Sequence, residues 1–189
     1  MKKFELTAEF VTNVFGKKLF RIKALVAFGD VEKGELGGFI EKEDNLSHDD
    51  NAWVSGNARV SGNAWVSGNA WVSGNAWVYG NAQVSGNARV SGNAWVYGNA
   101  QVSGNARVSG NAQVSGNADY AAVAGFGRYS RTTTFFRCKD KILRVQCGCF
   151  YGDLAQFREI VKKTHGDSKY AKEYLAIADL MELHFSDEC

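Results

Sequence analysis

Small and aliphatic residues recur with a period of six through the middle of the chain. The pair Asn-Ala occurs twelve times between Asn51 and Asn117, and in eleven of these repeats, from Val54 to Val114, a valine follows two positions after the alanine. A period of six excludes an α-helix, whose apolar stripe repeats about every 3.6 residues. Alanine and valine point to the same side of a strand, and the Gly-Asn pair that follows tolerates the positive φ of a tight corner. Each repeat is therefore predicted to form one short strand and one turn.

Three repeats complete one triangular coil, and stacked coils satisfy each other's backbone groups at a spacing of about 4.8 Å. The residue between alanine and valine points outward, so the fold does not restrict it. It varies among Trp, Arg and Gln, and it includes all five tryptophans of the chain. Positions one coil apart share a face, which gives three outward faces. The first contains Trp53, Trp71, Arg89 and Arg107, the second Arg59, Trp77, Trp95 and Gln113, and the third Trp65, Gln83 and Gln101.

The motif Ala-x-Val-Ser-Gly-Asn resembles the hexapeptide signature of the left-handed parallel β-helix. The resemblance covers residues 51–118, and the left-handed sense of the coil is what it implies. The whole chain is then mainly β: a left-handed parallel β-helix with an N-terminal β-hairpin cap and a small C-terminal α+β module.

Aromatic residues concentrate on the second face. Tyr79 and Tyr97 replace the serine of the repeat beside Trp77 and Trp95. A flat apolar patch on a soluble protein usually marks a contact surface. We therefore predict a homo-oligomer, a dimer or trimer, that associates through these four residues. Two alternatives stay open, namely an aromatic ladder that only stabilises the sheet surface, and packing by the terminal regions of the same chain.

Residues 1–50 are predicted to form an N-terminal β cap. Apolar and charged residues alternate over 19–25 after a turn at 16–18, which indicates a β-hairpin. Ile40 and Leu46 are six residues apart but lie two residues out of register with the repeat, which indicates an irregular first coil. Such a coil protects the open end of a β-helix from edge association.

Residues 119–189 are predicted to form the α+β module. Alternating segments on either side of a Lys139-Asp140 turn indicate a second hairpin, and two helices follow, capped by Asp153 and Ser168.

The register of a two-residue turn puts Phe136 opposite Leu143 and separates the second hairpin into two faces. The apolar face contains Phe136, Cys138, Leu143, Val145, Cys147 and Cys149, and the basic, aromatic face contains Arg131, Phe135, Arg137 and Arg144. Clustered arginines beside aromatic rings suit phosphate pairing and base stacking, or the acidic surface of a protein. The predicted partner contacts are Arg128, Arg131, Phe135, Arg137, Lys139 and Arg144. We expect the partner to be a protein or nucleoprotein, with nucleic acid and a merely solvated face as alternatives, and the first face of the repeat is the next candidate surface.

Catalytic and metal-binding chemistry is sparse in the sequence. Many left-handed β-helices are acyl- or nucleotidyltransferases that use a histidine from their coils or loops, but no histidine occurs between His48 and His165. Cys138, Cys147 and Cys149 with His165 are a weak candidate for a zinc site, because their spacing is not that of a zinc ribbon. The chain's four cysteines, the fourth being Cys189, are more typical of reduced core thiols. We expect no cofactor and no catalytic residue.

The flanks of the repeat resemble a group of proteins encoded by phages and prophages of gut bacteria. The strings that carry the resemblance are GELGGFIEKEDNLS, RTTTFF, CGCF and THGDSKYAKEYLAIADLMELHF. The first residues lack the apolar core of a signal peptide, and no segment is apolar enough to span a membrane, so we expect the protein in the host cytoplasm. The leading hypothesis is a non-enzymatic binding protein, an oligomeric β-helix that presents its basic module to a host macromolecule and inhibits a bacterial defence effector such as a CRISPR nuclease. A hexapeptide-repeat transferase and a structural phage component are the alternatives.

Overall fold

The computed structural model describes residues 1–186, so Cys189 lies outside the described residues. The elements before the repeat are β1 (Phe4–Thr12), β2 (Lys18–Ala24), β3 (Leu36–Ile40) and a 3₁₀ turn at Glu43–Asn45. The repeat forms β4 (Trp53–Val54), β5 (Arg59–Val60), β6 (Trp65–Val66), β7 (Trp71–Val72), β8 (Trp77–Val78), β9 (Gln83–Val84), β10 (Arg89–Val90), β11 (Trp95–Val96), β12 (Gln101–Val102), β13 (Arg107–Val108) and β14 (Gln113–Val114). After a 3₁₀ turn at Asn117–Asp119 come β15 (Tyr120–Phe126), β16 (Arg131–Arg137), β17 (Leu143–Cys147), β18 (Phe150–Asp153), α1 (Leu154–His165) and α2 (Lys169–His184).

The repeat folds into the predicted parallel β-helix. Its valines and its alanines from Ala52 to Ala112 are buried in one continuous core, whereas Gln83 and Gln101 between them are exposed. Each strand pairs in parallel with the strand one coil away, and the backbone N–H of Trp71, for example, donates to the carbonyl of Ala88 at 2.9 Å. The parallel strands form the orders β4-β7-β10-β13, β5-β8-β11-β14 and β6-β9-β12, which are the three predicted faces. The left-handed sense of the coil stays a prediction.

The N-terminal residues form the predicted hairpin and the predicted irregular coil. Strands β1 and β2 pair antiparallel, and β3 joins their sheet to β5, so the hairpin extends the second face of the β-helix. Ile40 pairs in parallel with Val60, and Leu46 with Val66. Each of these partners lies two residues further along the chain than the spacing within the repeat requires, which confirms the predicted offset.

Trp53 departs from the predicted outward row, because the N-terminal cap covers it completely. Its side chain is 0% exposed, and the ring of Phe28 packs edge-on against it with 5.4 Å between centroids. Gly37 allows this close approach, since a Cβ there would lie 2.7 Å from the indole. The prediction that every tryptophan faces solvent is therefore wrong for Trp53, which packs against the terminal region of its own chain.

The C-terminal module closes the other end of the β-helix. Strands β15-β16-β17-β18 form an antiparallel sheet, and Phe136 and Cys138 on one of its faces join the core of the last coils. Phe135 and Val145 on the opposite face pack with the two helices in a second core. Asp153 caps α1 by accepting the N–H of Gln156 at 2.8 Å, and Ser168 caps α2 as predicted.

The second hairpin is present, but its predicted register is wrong by one residue. Phe136 pairs with Arg144 instead of Leu143. The turn has three residues, 139–141, instead of two, and Lys141 adopts a left-handed conformation with a φ of 62°. A slip of one residue moves every side chain of a strand to the other face of the sheet. The predicted division into an apolar and a basic face therefore does not hold.

Candidate functional site

The six predicted partner contacts do not share one surface. Phe135 is 0% exposed in the core beneath the helices, where it is unavailable to a partner. Arg137 lies on the helix side of the sheet, where its Nη2 donates to the carbonyl of Phe185 at 2.9 Å. Arg144 lies on the opposite side, and its Nη2 is 2.7 Å from the carboxylate of Asp140. Because Arg137 and Arg144 face apart, the common basic face predicted for the hairpin does not form.

Two other predicted contacts lie together at the rim of the module. Arg128 and Tyr129 lie in the loop between β15 and β16, and Arg131 begins β16. The guanidinium carbons of Arg128 and Arg131 stand 5.6 and 4.8 Å from the ring centroid of Tyr129. Lys139 is exposed at the hairpin turn, and its backbone N–H donates to the carbonyl of Asn111 at 3.1 Å. Only the Arg128–Arg131 pair of the predicted set thus combines a cation with an exposed aromatic ring.

A groove of about 1060 Å³ runs along the first face of the β-helix between the two caps. Its floor is formed by Trp71, Arg89 and Arg107, which stand in register on β7, β10 and β13. The end walls come from residues 29–30 of the N-terminal cap and from residues 129–132 and 148–149 of the C-terminal module. The hairpin residue Arg131 therefore joins the first-face residues in one concave surface, which we call the basic groove.

The charge of the basic groove is positive. Its lining contains Arg89, Arg107 and Arg131 against the single acid Asp30. No carboxylate in residues 1–186 lies within ion-pair distance of any of the three guanidinium groups. Like charges held one coil apart on a rigid sheet raise the local potential, and a concave surface focuses it on an approaching anion.

One edge of the basic groove is a ladder of amides. Asn51 donates to Asn69 at 3.0 Å, Asn69 to Asn87 at 3.1 Å, and Asn87 to Asn105 at 3.0 Å. The ladder crosses four coils, so its length is about 14 Å. An amide nitrogen carries two hydrogens, and each of these bonds uses one of them. The second N–H of each donating amide makes no hydrogen bond within residues 1–186.

Both aromatic groups of the basic groove are held in place by the fold. The indole Nε1 of Trp71 donates to Ser55 Oγ at 3.1 Å, which fixes the plane of the ring. The loop that carries Tyr129 is tied to α2, because the N–H of Gly127 donates to Glu173 Oε2 at 2.9 Å. The ring of Tyr129 remains 64% exposed.

The four aromatic residues predicted for oligomer contact lie together on the second face. Trp77 and Trp95 stack with 5.4 Å between centroids and 11° between planes, and Tyr79 and Tyr97 stack at 5.2 Å and 6°. Arg59 lies over the other side of Trp77 at 5.0 Å. Burial in this cluster raises the pKa of Tyr79. The residues form one patch, and its role in oligomer contact stays a prediction.

The cysteines are distributed over both faces of the C-terminal sheet. Cys138 faces the β-helix, where burial raises the pKa of its thiol. Cys147 faces the helices and accepts a hydrogen bond from Thr133 Oγ1 at 3.2 Å, whereas Cys149 is exposed. Across the described part of the chain, no three histidine, cysteine or acidic side chains come together as a metal site. The candidate zinc ligands, including His165, are therefore not assembled.

Comparison with known proteins finds a similarity within the repeat. The repeat family described as "YdcK Beta solenoid repeat" matches residues 52–68, 64–80, 82–98 and 100–116. These matches lie within the coil and do not extend to either cap, so the similarity concerns the scaffold of the groove and not its end walls. No curated protein matches the chain.

None of the helices within residues 1–186 has the length and apolarity needed to cross a membrane.

Proposed function

We propose that this β-helix repeat protein is a non-enzymatic binding protein and that its basic groove holds an anionic segment of a host macromolecule. The observation that carries the proposal is the row of guanidinium groups of Arg89, Arg107 and Arg131, which line a concave surface whose one acid is Asp30 and have no carboxylate of residues 1–186 within ion-pair distance. Exposed arginines normally alternate with acids on a solvated surface. A groove that concentrates positive charge instead favours recruitment of an anionic partner.

The setting of the proposal comes from the resemblance to phage-encoded proteins. In that setting the bound macromolecule belongs to the bacterial host, and the protein acts in the host cytoplasm. A defence effector that handles nucleic acid, such as a CRISPR nuclease, is the target class that we propose, because such an effector presents nucleic acid to a basic groove.

The experiment that tests the proposal reverses the charge of the groove floor. Tagged protein is used to capture partners from a host lysate, with and without nuclease treatment, and is compared with the Arg89→Glu/Arg107→Glu variant. We expect the variant to lose the partner without a lower melting temperature, because both side chains are exposed. Capture by the unmodified protein should also weaken as the salt concentration rises.

A matched control comes from the third face. Gln83 and Gln101 pair on neighbouring coils in the same way as Arg89 and Arg107. The Gln83→Glu/Gln101→Glu variant places two carboxylates one coil apart outside the groove, and it should retain the partner. A partner that stays bound to the Arg89→Glu/Arg107→Glu variant would show that the basic groove is not the contact surface.

A further inference from the structure

The basic groove combines flat rings with cations along one line. Trp71 lies in the floor one coil before Arg89, which lies one coil before Arg107, and Tyr129 stands at the end wall beside Arg131. Proteins that bind single strands combine a positively charged groove along the backbone with aromatic rings on which the bases stack. The arrangement of side chains in this groove has both components.

The aromatic rings of Trp71 and Tyr129 distinguish between the possible classes of anionic ligand. An acidic polypeptide would neutralise the guanidinium groups, but its carboxylate side chains have no flat face for Trp71 or Tyr129. A nucleic-acid duplex keeps its bases stacked on each other, so it offers its backbone and the edges of its bases to this surface, but no base face to Trp71 or Tyr129. An unpaired strand offers phosphates to the arginines and base faces to the rings, and its base edges suit the free amide donors of the asparagine ladder.

We propose that the basic groove binds single-stranded nucleic acid, with phosphates on Arg89, Arg107 and Arg131 and bases stacked on Trp71 and Tyr129. This inference rests on the proposed function, since it assigns a ligand class to the same groove. The contacts are to phosphates, base faces and an amide ladder that repeats at every coil, so binding depends weakly on sequence. DNA and RNA strands share this chemistry.

The test measures the fluorescence anisotropy of short labelled oligothymidine and oligouridine with the full-length protein. We expect saturable binding that weakens with salt, and comparison of the two oligomers shows whether the groove prefers a DNA or an RNA strand. Trp71→Gln should weaken binding roughly tenfold, because it removes one stacking platform. Glutamine occupies the equivalent position in other repeats, and Trp65→Gln on the third face is the control with unchanged affinity.

The salt dependence separates phosphate contacts from stacking. The Arg89→Gln/Arg107→Gln variant loses two phosphate contacts. The magnitude of the slope of log affinity against log salt should therefore decrease by about 1.4. Trp71→Gln should leave that slope unchanged, because it removes no ion pair. Arg59→Gln on the second face is the control for the loss of a positive charge elsewhere.

Three outcomes would overturn the inference, and each has a different consequence for the proposed function. If polyglutamate binds in the groove and oligonucleotides do not, the nucleic-acid ligand is wrong while the groove remains the anion-binding surface. If duplex binds as tightly as single strand and Trp71→Gln has no effect, the bases are not read by the rings. If oligonucleotide affinity is unchanged in Arg89→Gln/Arg107→Gln, or if no polyanion binds, the groove assignment fails as well.

Discussion

At the scale of single residues, the corners of the β-helix require glycine for two separable reasons. Gly86 and Gly104 have the same φ of +65°, which side chains of L-residues rarely adopt. A Cβ on Gly86 would lie 2.9 Å from the backbone nitrogen of Gly104, because the next coil packs directly beneath it. A Cβ on Gly104 would have no atom within 4 Å. Conformation therefore restricts both positions, and stacking restricts only Gly86.

This difference between Gly86 and Gly104 predicts how strongly an alanine at each position destabilises the protein. Gly104→Ala should lower the free energy of unfolding by roughly 1–2 kcal/mol, the cost of the left-handed conformation alone. Gly86→Ala should lower it by clearly more, because the coils must also move apart. Urea denaturation of the two variants measures the contrast, and equal losses would show that adjacent coils do not constrain this corner.

At the scale of elements, the N-terminal cap is joined to the first coil by a buried lysine. The side chain of Lys3 is 3% exposed, and its Nζ donates to the carbonyls of Ala52 at 2.9 Å and of Asp49 and Asp50 at 3.3 Å. Burial lowers the pKa of Lys3 from 10.5 to about 8, against the opposing effect of the Asp50 and Asp49 charges. The cap therefore holds an amine whose pKa is about 8.

The pKa of Lys3 predicts how stability depends on pH. Between about 8 and 10.5 the folded protein has lost a proton that the unfolded chain still binds. Because the unfolded state binds more protons in that window, this lysine makes the free energy of unfolding rise as the pH increases through it. Lys3→Met lacks the titrating group and controls for the other residues.

The measurement is the difference in unfolding free energy between the unmodified protein and Lys3→Met over this pH range. We expect the difference to move in favour of the unmodified protein at higher pH. A difference that stays constant from pH 7 to 10 would contradict the low pKa of Lys3.

At the scale of the whole molecule, the aromatic patch and the basic groove lie on different faces, so both are open at once. Trp95 is 38% exposed, and the tip of the N-terminal hairpin adds Val14 and Phe15, which are 77% and 70% exposed. Phe15 approaches Trp77 and Tyr79 at the same surface. The N-terminal hairpin therefore covers one side of the aromatic cluster and leaves Trp95 exposed. We propose that copies of this chain associate there as a dimer or trimer.

The repeat supplies its own conservative substitutions for a test of this assembly. Glutamine stands at the outward position of other coils, so Trp77→Gln/Trp95→Gln should preserve the fold while it removes the stacked indoles. We expect light scattering to find an oligomer for the unmodified protein and a shift toward monomer for this variant. Trp65→Gln on the third face should leave the mass unchanged. A monomeric unmodified protein at micromolar concentration would contradict the proposal.

The sequence by itself determined the β-helix, its three faces and the offset of the first coil. The reason is that a short period repeated many times specifies both the burial of Val84 and the exposure of Gln83, and each coil repeats the same local interactions. The aromatic cluster of Trp77, Tyr79, Trp95 and Tyr97 followed from the same period, because residues one coil apart must stack.

Only the tertiary structure determined how the N-terminal cap and the C-terminal module pack on the β-helix. A single extra turn residue at Lys141 reversed the faces of the second hairpin, and short-range sequence signals do not distinguish a two-residue from a three-residue turn there. The burial of Trp53 depends on long-range packing of the N-terminal cap, which no local pattern encodes. The basic groove also depends on long-range packing. The six-residue period places Trp71, Arg89 and Arg107 on one face, but Arg131 joins them in one groove only because the C-terminal sheet docks on the last coil.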